Sequence, residues 1–192
     1  KKGENLKEPE SPDITPKKLA QKPQAKVYID GANMFYTQKK LGWMFDWRKI
    51  YQYLKKEYEI KEVRFYLASK KRDRKTKNFL LALEKLGFTL VTKDLKRIQV
   101  ENDKWVYKAN FDVEMTADIL LDKKEYDIFI LFSGDSDFEY LVKILEKLKK
   151  QVFVYASRKT LSWELKLAAT HYFFLENIKR KIYRKRWGLT NN

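Results

Sequence analysis

The chain has 192 residues, no cysteine and a single histidine, and its 42 Lys and Arg against 26 Asp and Glu leave a formal charge of +16. Disulfides and thiolate zinc sites are excluded, a histidine triad or histidine-rich metal centre lacks material, and the cysteine-free composition fits a reducing, cytoplasmic setting. An apolar content of 44% supports one packed domain with tails, no apolar run approaches the ~18 residues of a membrane span, and so basic a balance is the usual footprint of a nucleic-acid binder, though anionic membrane surfaces attract such chains too.

The prolines lie at positions 9, 12, 16 and 23, among few large apolar residues, so residues 1–25 are expected to form a disordered leader. The folded part is expected over residues 26–176. Residues 26–29 form a first apolar strand that ends in Asp30-Gly31-Ala32-Asn33. Asp46 is placed to cap a helix whose apolar stripe is Trp47, Ile50, Tyr51, Leu54 and Tyr58, at spacings of three and four. Residues 63–68 form the second strand, and a basic loop, Lys70-Lys71-Arg72-Asp73-Arg74-Lys75, leads into a helix that turns Phe79, Leu80, Leu83 and Leu86 inward and stops at Gly87.

Residues 88–92 form the third strand, and 95–108 two short strands of an appended hairpin. A helix opens near Asn110. Residues 127–132 form the fourth strand, followed by a helix with Phe138, Leu141, Val142, Leu145 and Leu148 on one face. Residues 152–155 form the fifth strand and 162–169 the last helix. This alternation calls for an α/β fold with a mainly parallel, five-stranded sheet covered on both faces. Residues 177–192 carry six basic and no acidic residues, and the aromatics within Lys179 to Trp187 suit a tail that grips phosphates and stacks on bases.

The acidic residues are placed for chemistry. Asp30 ends one apolar strand, and Asp135 and Asp137 follow another in Ser133-Gly134-Asp135-Ser136-Asp137-Phe138. Asp112 falls in the first turn of a helix, where a carboxylate is favoured. In an open parallel sheet such strand ends form the site crevice. Two carboxylates about 4 Å apart repel by roughly 4 kcal/mol at an effective dielectric near 20, so a cluster stays ionised only with cations present. Oxygen-only ligands point to Mg²⁺ or Mn²⁺. Each acid also has a simpler use: Asp30 capping a turn, Asp135 and Asp137 capping the next helix, Asp112 satisfying helix N–H groups. Asp118 is rotated about 120° and carried ~9 Å from Asp112 along the helix. Asn33 could hold a water or pin the Asp30 turn, and Ser133 could tie two carboxylates together. Lys70, Lys71, Arg72 and Arg74 follow a strand end and so leave the sheet on the acids' rim, where with Lys108 they would hold flanking phosphates. His171, beside Tyr172 and Phe173, reads as structural.

Asp30-Gly31-Ala32-Asn33, the segment Lys108-Ala109-Asn110-Phe111-Asp112-Val113 with Asp118, and Ser133-Gly134-Asp135-Ser136-Asp137-Phe138 together resemble the NYN domain family, in its LabA-like branch of the PIN-like nucleases. The chain departs from the family pattern at Ala109, where Gly is usual, and at Ala169-Thr170-His171, where an Ala-Asp pair is frequent. The resemblance covers residues 26–176. It implies a three-layer α/β/α sandwich and a metal-dependent ribonuclease centre, with Asp30, Asp112 and Asp135 as the catalytic, metal-holding acids and Asp137 and Asp118 in support. A two-metal site of that kind would hydrolyse RNA, single-stranded by expectation, to a 5′ phosphate and a 3′ hydroxyl. A non-catalytic RNA-binding module and a structure-specific DNA nuclease are the competing readings.

Overall fold

The computed structural model describes residues 22–69, 73–100, 104–123 and 126–184, with the backbone alone over 96–108. Among the described residues eight strands occur: β1 (Gln24–Asp30), β2 (Glu59–Ser69), β3 (Thr89–Asp94), β4 (Lys96–Val100), β5 (Lys104–Lys108), β6 (Ile128–Phe132), β7 (Gln151–Ala156) and β8 (His171–Phe174). The α-helices are α1 (Gly31–Leu41), α2 (Trp47–Glu57), α3 (Arg74–Glu84), α4 (Asp112–Asp122), α5 (Glu139–Lys147), α6 (Trp163–Ala168) and α7 (Lys179–Ile182).

Six strands form one sheet in the order β3-β2-β1-β6-β7-β8, and every pairing in it is parallel. The expected five strands are thus corrected to six. The extra one, β8, is four residues long and lies at the sheet edge with His171 and Tyr172 exposed. Its Tyr172, Phe173 and Phe174 favour a strand, but four residues are too short to show an alternation. β4 and β5 pair antiparallel as a separate two-stranded sheet, which is the hairpin expected over 95–108.

The strands alternate between two cores. Val27, Ile29, Phe65, Leu67, Ile130 and Phe132 belong to one, together with Met34, Trp47, Ile50, Leu54, Leu83 and Ile182 from α1, α2, α3 and α7. Tyr28, Tyr66, Phe129, Leu131 and Val154 belong to the other, with Met115, Ile119, Leu141, Val142, Leu145 and Leu165 from α4, α5 and α6. The period of two along each strand sends successive side chains to opposite faces, and each face meets its own helices. The stripe of Trp47, Ile50 and Leu54 is core, as read from its spacing.

Helix α1 has no counterpart in the sequence reading. Two of its inward positions are polar, Thr37 and Gln38, so it lacks an apolar stripe. Their polar atoms are partnered: the Thr37 hydroxyl lies 3.0 Å from that of Thr160, and Gln38 Oε1 accepts from the Phe45 N–H at 2.6 Å. Gly42, at φ 74, caps the helix in the left-handed conformation that glycine adopts without strain.

The chain ends also differ from expectation. β1 opens at Gln24, inside the expected leader, and residues 1–21 lie outside the described residues. The basic segment from 177 onward is not all free tail. A 3-10 turn over Leu175–Ile178 and α7 bring Leu175 and Ile182 to full burial, and the Asp46 N–H donates to the Ile182 carbonyl at 2.8 Å. Burying an isoleucine outweighs the pull of the charges around it into water. Residues 185–192, with Trp187, lie outside the described residues. Among the described residues no helix is long and apolar enough to cross a membrane.

Candidate active site

The strand order reverses direction between β1 and β6: β1 leads outward to β2 and β3, and β6 to β7 and β8. A crevice opens at such a switch point, beyond the carboxyl ends of the strands. Ile29 sits beside Phe132 in the parallel register. The next residues on the two strands, Asp30 and Ser133, therefore leave the sheet side by side.

A web of short hydrogen bonds fixes this junction. Asp30 caps α1, its Oδ1 accepting from the Asn33 N–H at 3.0 Å. The Ser133 hydroxyl donates to Asp30 Oδ2 at 3.1 Å and accepts from the Asp135 N–H at 3.2 Å. Asn33 Oδ1 accepts from the Gly134 N–H at 3.1 Å. Ser133 thus joins a carboxylate to a neighbouring backbone amide, and Asn33 stitches the two strand exits together. Asp135 turns back to accept from the Asp137 N–H at 3.1 Å, capping a 3-10 turn over Ser136–Phe138. Phe138, fully buried, pins that turn to the core. Gly134 is required by close approach: a Cβ there would run into the Thr160 carbonyl.

Asp112 reaches the crevice from α4. Phe111, buried against the Tyr66 ring edge at 5.8 Å, anchors the helix start beside the end of β2. Asn110 does not cap the helix. Its side-chain amide instead donates to Asp112 Oδ2 at 2.8 Å.

The electrostatics show that these acids share one space. Burial pushes the Asp30 carboxyl up to about 6; the Asn33 and Ser133 hydrogen bonds oppose this, and the charges of Asp112 and Asp135 add to it. The Asp112 carboxyl is also raised, by burial first and then by Asp135 and Asp137, with Asn110 and Lys93 acting against the rise. The charges of Asp112 and Asp135 thus act on Asp30, and those of Asp135 and Asp137 act on Asp112. Among the described residues no three His, Asp or Glu side chains stand close enough together to hold a metal ion between them. Carboxylate oxygens that repel one another suit a hard divalent cation, and Mg²⁺ in particular takes one or two carboxylates and completes its shell with water and phosphate oxygens. The donor chemistry of the crevice fits such an ion.

Asp118 stands apart from this group. Its Oδ2 accepts from the Tyr66 hydroxyl at 2.7 Å and lies 3.3 Å from Arg64 Nη1. It belongs to an ion cluster with Lys26, Glu62, Arg64 and Asp122. Lys26 is 2% exposed, pairs with Glu62, and lies 2.6 Å from Asp122 Oδ2, which also accepts from the Tyr28 hydroxyl at 2.6 Å. The cluster ties the carboxyl-terminal half of α4 to β1 and β2, and so sets the direction in which its amino end carries Asp112. The sequence signal for it was a lysine inside an apolar strand.

Of the expected phosphate contacts, Arg74 is exposed at the start of α3, behind the Asp73 cap. Lys70, Lys71 and Arg72 lie outside the described residues, and the Lys108 side chain is among those not described. A cation that the sequence reading passed over is Lys93, near the end of β3. It bonds Glu114 at 2.7 Å, lies 4.4 Å from the Phe111 ring centre and acts on Asp112. His171 opens β8, at the opposite end of the parallel sheet from the acids, with its ring edge-on to Phe153 at 5.0 Å.

Comparison with known proteins bears on the family and the fold. The chain is 35% identical over 156 residues to the Low amplitude and bright protein LabA of Synechococcus elongatus, spanning 80% of this chain and 84% of that one. A crystal structure of a protein of unknown function from Vibrio parahaemolyticus has the same fold, with a TM-score of 0.72 and 24% identity over 86% of this chain and 98% of that one. The NYN domain matches residues 24–176, across both strand exits, α4 and the edge strand β8. The chain belongs to the NYN domain family.

Proposed function

We propose that this protein is a metal-dependent endoribonuclease that hydrolyses RNA phosphodiester bonds at the β1/β6 crevice, on a PIN-like α/β/α sandwich. The observation that carries the reading is that Asp30 leaves the sheet beside Ser133 at the β1/β6 switch point and that the charges of Asp112 and Asp135 act on it, in a chain of charge +16. Membership of a nuclease-like, RNA-binding family supports it. In this reading Asp30, Asp112 and Asp135 hold Mg²⁺ or Mn²⁺, with Asp137 beside them. Bound there, the cations would supply Lewis-acid activation of a water and offset charge on the leaving 3′ oxygen.

The chain's own residues do the remaining work. The Ser133 and Asn33 hydrogen bonds hold Asp30 and the Asp135 turn in register, so the carboxylates are oriented before substrate arrives. Their like charges exclude a bare phosphate, which makes cleavage depend on added cation. Lys93 and Arg74 lie on the rim to receive neighbouring phosphates.

Incubating the protein with end-labelled single-stranded RNA and Mg²⁺, Mn²⁺ or chelator tests the proposal. Cleavage with either ion and none in chelator is the expected result. Cleavage that persists in chelator, or in Asp135→Asn, refutes the metal mechanism. The open arrangement of the acids also favours a second reading, an RNA-binding module without cleavage. Tight RNA binding with no cleavage under any ion would select that one. Cleavage of DNA in preference to RNA would select a DNA nuclease.

A further inference from the structure

The rim of the sheet carries a second feature. Helix α1 leaves the acids at Asp30 and runs 11 residues, about 16 Å, along the carboxyl ends of the strands. It is fastened there by the Thr37–Thr160 hydroxyl contact and by Lys159 Nζ, which donates to the Lys40 carbonyl at 3.2 Å. Both partners come from the loop after β7, so the far end of α1 stays on the acids' rim. There an open groove of about 670 Å³ lies between the end of α1 and the residues around α7. Its other wall is built by backbone pairing: the Arg184 N–H donates to the Met44 carbonyl at 2.9 Å, and Phe45 bridges to Tyr183.

The lining combines two kinds of chemistry. Phe35, Trp43 and Tyr183 present ring surface, and Met44 is 46% exposed beside them. Lys39, Lys179 and Arg184 present charge, and among the described residues no acidic side chain lines the groove. Cations already sit against the rings. Lys179 Nζ is 5.5 Å from the Trp43 ring centre, and Lys49 Nζ is 5.3 Å from that of Tyr183. Rings flanked by cations are what a single strand needs, since bases stack on aromatic faces while phosphates meet Lys and Arg. A folded protein partner would meet three cations that have no acidic partner among the described residues, on a small apolar floor; a polyanion with flat bases matches both parts.

We propose that this groove is a binding subsite for single-stranded RNA, holding nucleotides on one side of the phosphate that sits in the acidic crevice. The proposal rests on the ribonuclease reading for its substrate. It gives that site a direction: the strand runs from the acids along α1 to Trp43 and α7. It also gives the basic residues of α7 a purpose beyond solubility, because the burial of Ile182 fixes Lys179 and Arg184 at the groove.

The test is equilibrium binding of a fluorescent single-stranded oligoribonucleotide in chelator, across a salt series, so that no cleavage is needed. The double variant Lys39→Glu with Lys179→Glu should bind more weakly and flatten the slope of log affinity against log salt by about 1.4, on the rule of ~0.7 per phosphate contact in single strands. Trp43→Ala should weaken binding about ten-fold at fixed salt through lost stacking, with the slope unchanged. Trp43 is half-buried, so the two exposed lysines serve as the control for folding. Unchanged affinity and slope in the lysine variant overturn the subsite, even if the protein cleaves RNA. So does a groove variant that alters self-association in sedimentation while binding RNA as before, which would make the groove a contact between copies. A wild-type protein that binds in chelator with this pattern but never cleaves would keep the groove and remove the ribonuclease reading.

Discussion

Replacing Asp30 by Asn should make the metal-free protein more stable while removing its proposed activity. Asn keeps the shape of the side chain, its Oδ1 can accept from the Asn33 N–H while its Nδ2 donates to the Ser133 hydroxyl oxygen, and it caps a helix as well as Asp does. It removes the charge that the crevice disfavours. The folded state holds the Asp30 proton up to about pH 6, while the unfolded chain releases it near the ordinary 3.8. Between those values the folded state binds more protons, so stability falls as pH rises and stays lower above the folded value. The gap between 3.8 and about 6, at ~1.36 kcal/mol per pH unit, gives about 2–3 kcal/mol at neutral pH. For a chain of this size that corresponds to roughly 4–12 °C in Tm. Urea or thermal unfolding of both proteins in chelator, near pH 7 and again near pH 4, reads the difference. The Asn variant should lead at neutral pH, and most of the lead should vanish in acid, where the native Asp30 is protonated. Millimolar Mg²⁺ should raise the wild type toward the variant. A variant less stable than wild type at neutral pH, or equally favoured at both, refutes the argument.

Asp135→Asn should nearly abolish RNA cleavage and leave RNA binding intact or tighter, measured by gel and by fluorescence anisotropy, since a carboxylate is lost but its cap on Asp137 is kept. Gly134→Ala should push the turn away from Thr160 and cost about 1–3 kcal/mol in urea unfolding, together with cleavage. Lys26→Met should destabilise by about 1–3 kcal/mol, because Asp122 and Glu62 lose their buried partner and keep Arg64; a neutral result in denaturation would show that the pair is not held there. Ending the chain at Arg184 removes Lys185 and Arg186, and should flatten the salt slope of RNA binding by about 1.4 if both touch phosphate. Ending it at Ile178 should also unfold the α2/α7 contact, because Ile182 belongs to the core.

Much of the architecture was legible because it rests on local repetition. Apolar runs of four or five residues, such as Ile128 to Phe132, announce strands buried on both faces, and the Trp47 stripe announces a covered helix. The elements that escaped follow no repeat. Helix α1 buries Thr37 and Gln38, whose partners lie in loops distant or irregular in sequence. Strand β8 is short, half-exposed and held only by β7.

The site divides in the same way. That Asp30 and Asp135 end parallel strands follows from the sequence, because the apolar runs stop where water and backbone turns begin. That they lie side by side is a property of the strand order, which places β1 against β6 across about a hundred residues of chain. Ser133 and Asn33 were visible as candidates, yet their work as stitches depends on hydrogen bonds about a hundred positions apart in sequence. Asp118 shows the limit most sharply. It shares a helix with Asp112, and spacing alone leaves its direction open; Arg64 and Tyr66 on β2 turn it into the ion cluster. Charge type, strand ends and helix starts are local and can be read from residues. Which charge meets which is decided by packing, because an ion pair or a shared crevice exists only between chain segments that the fold has brought within a few ångströms.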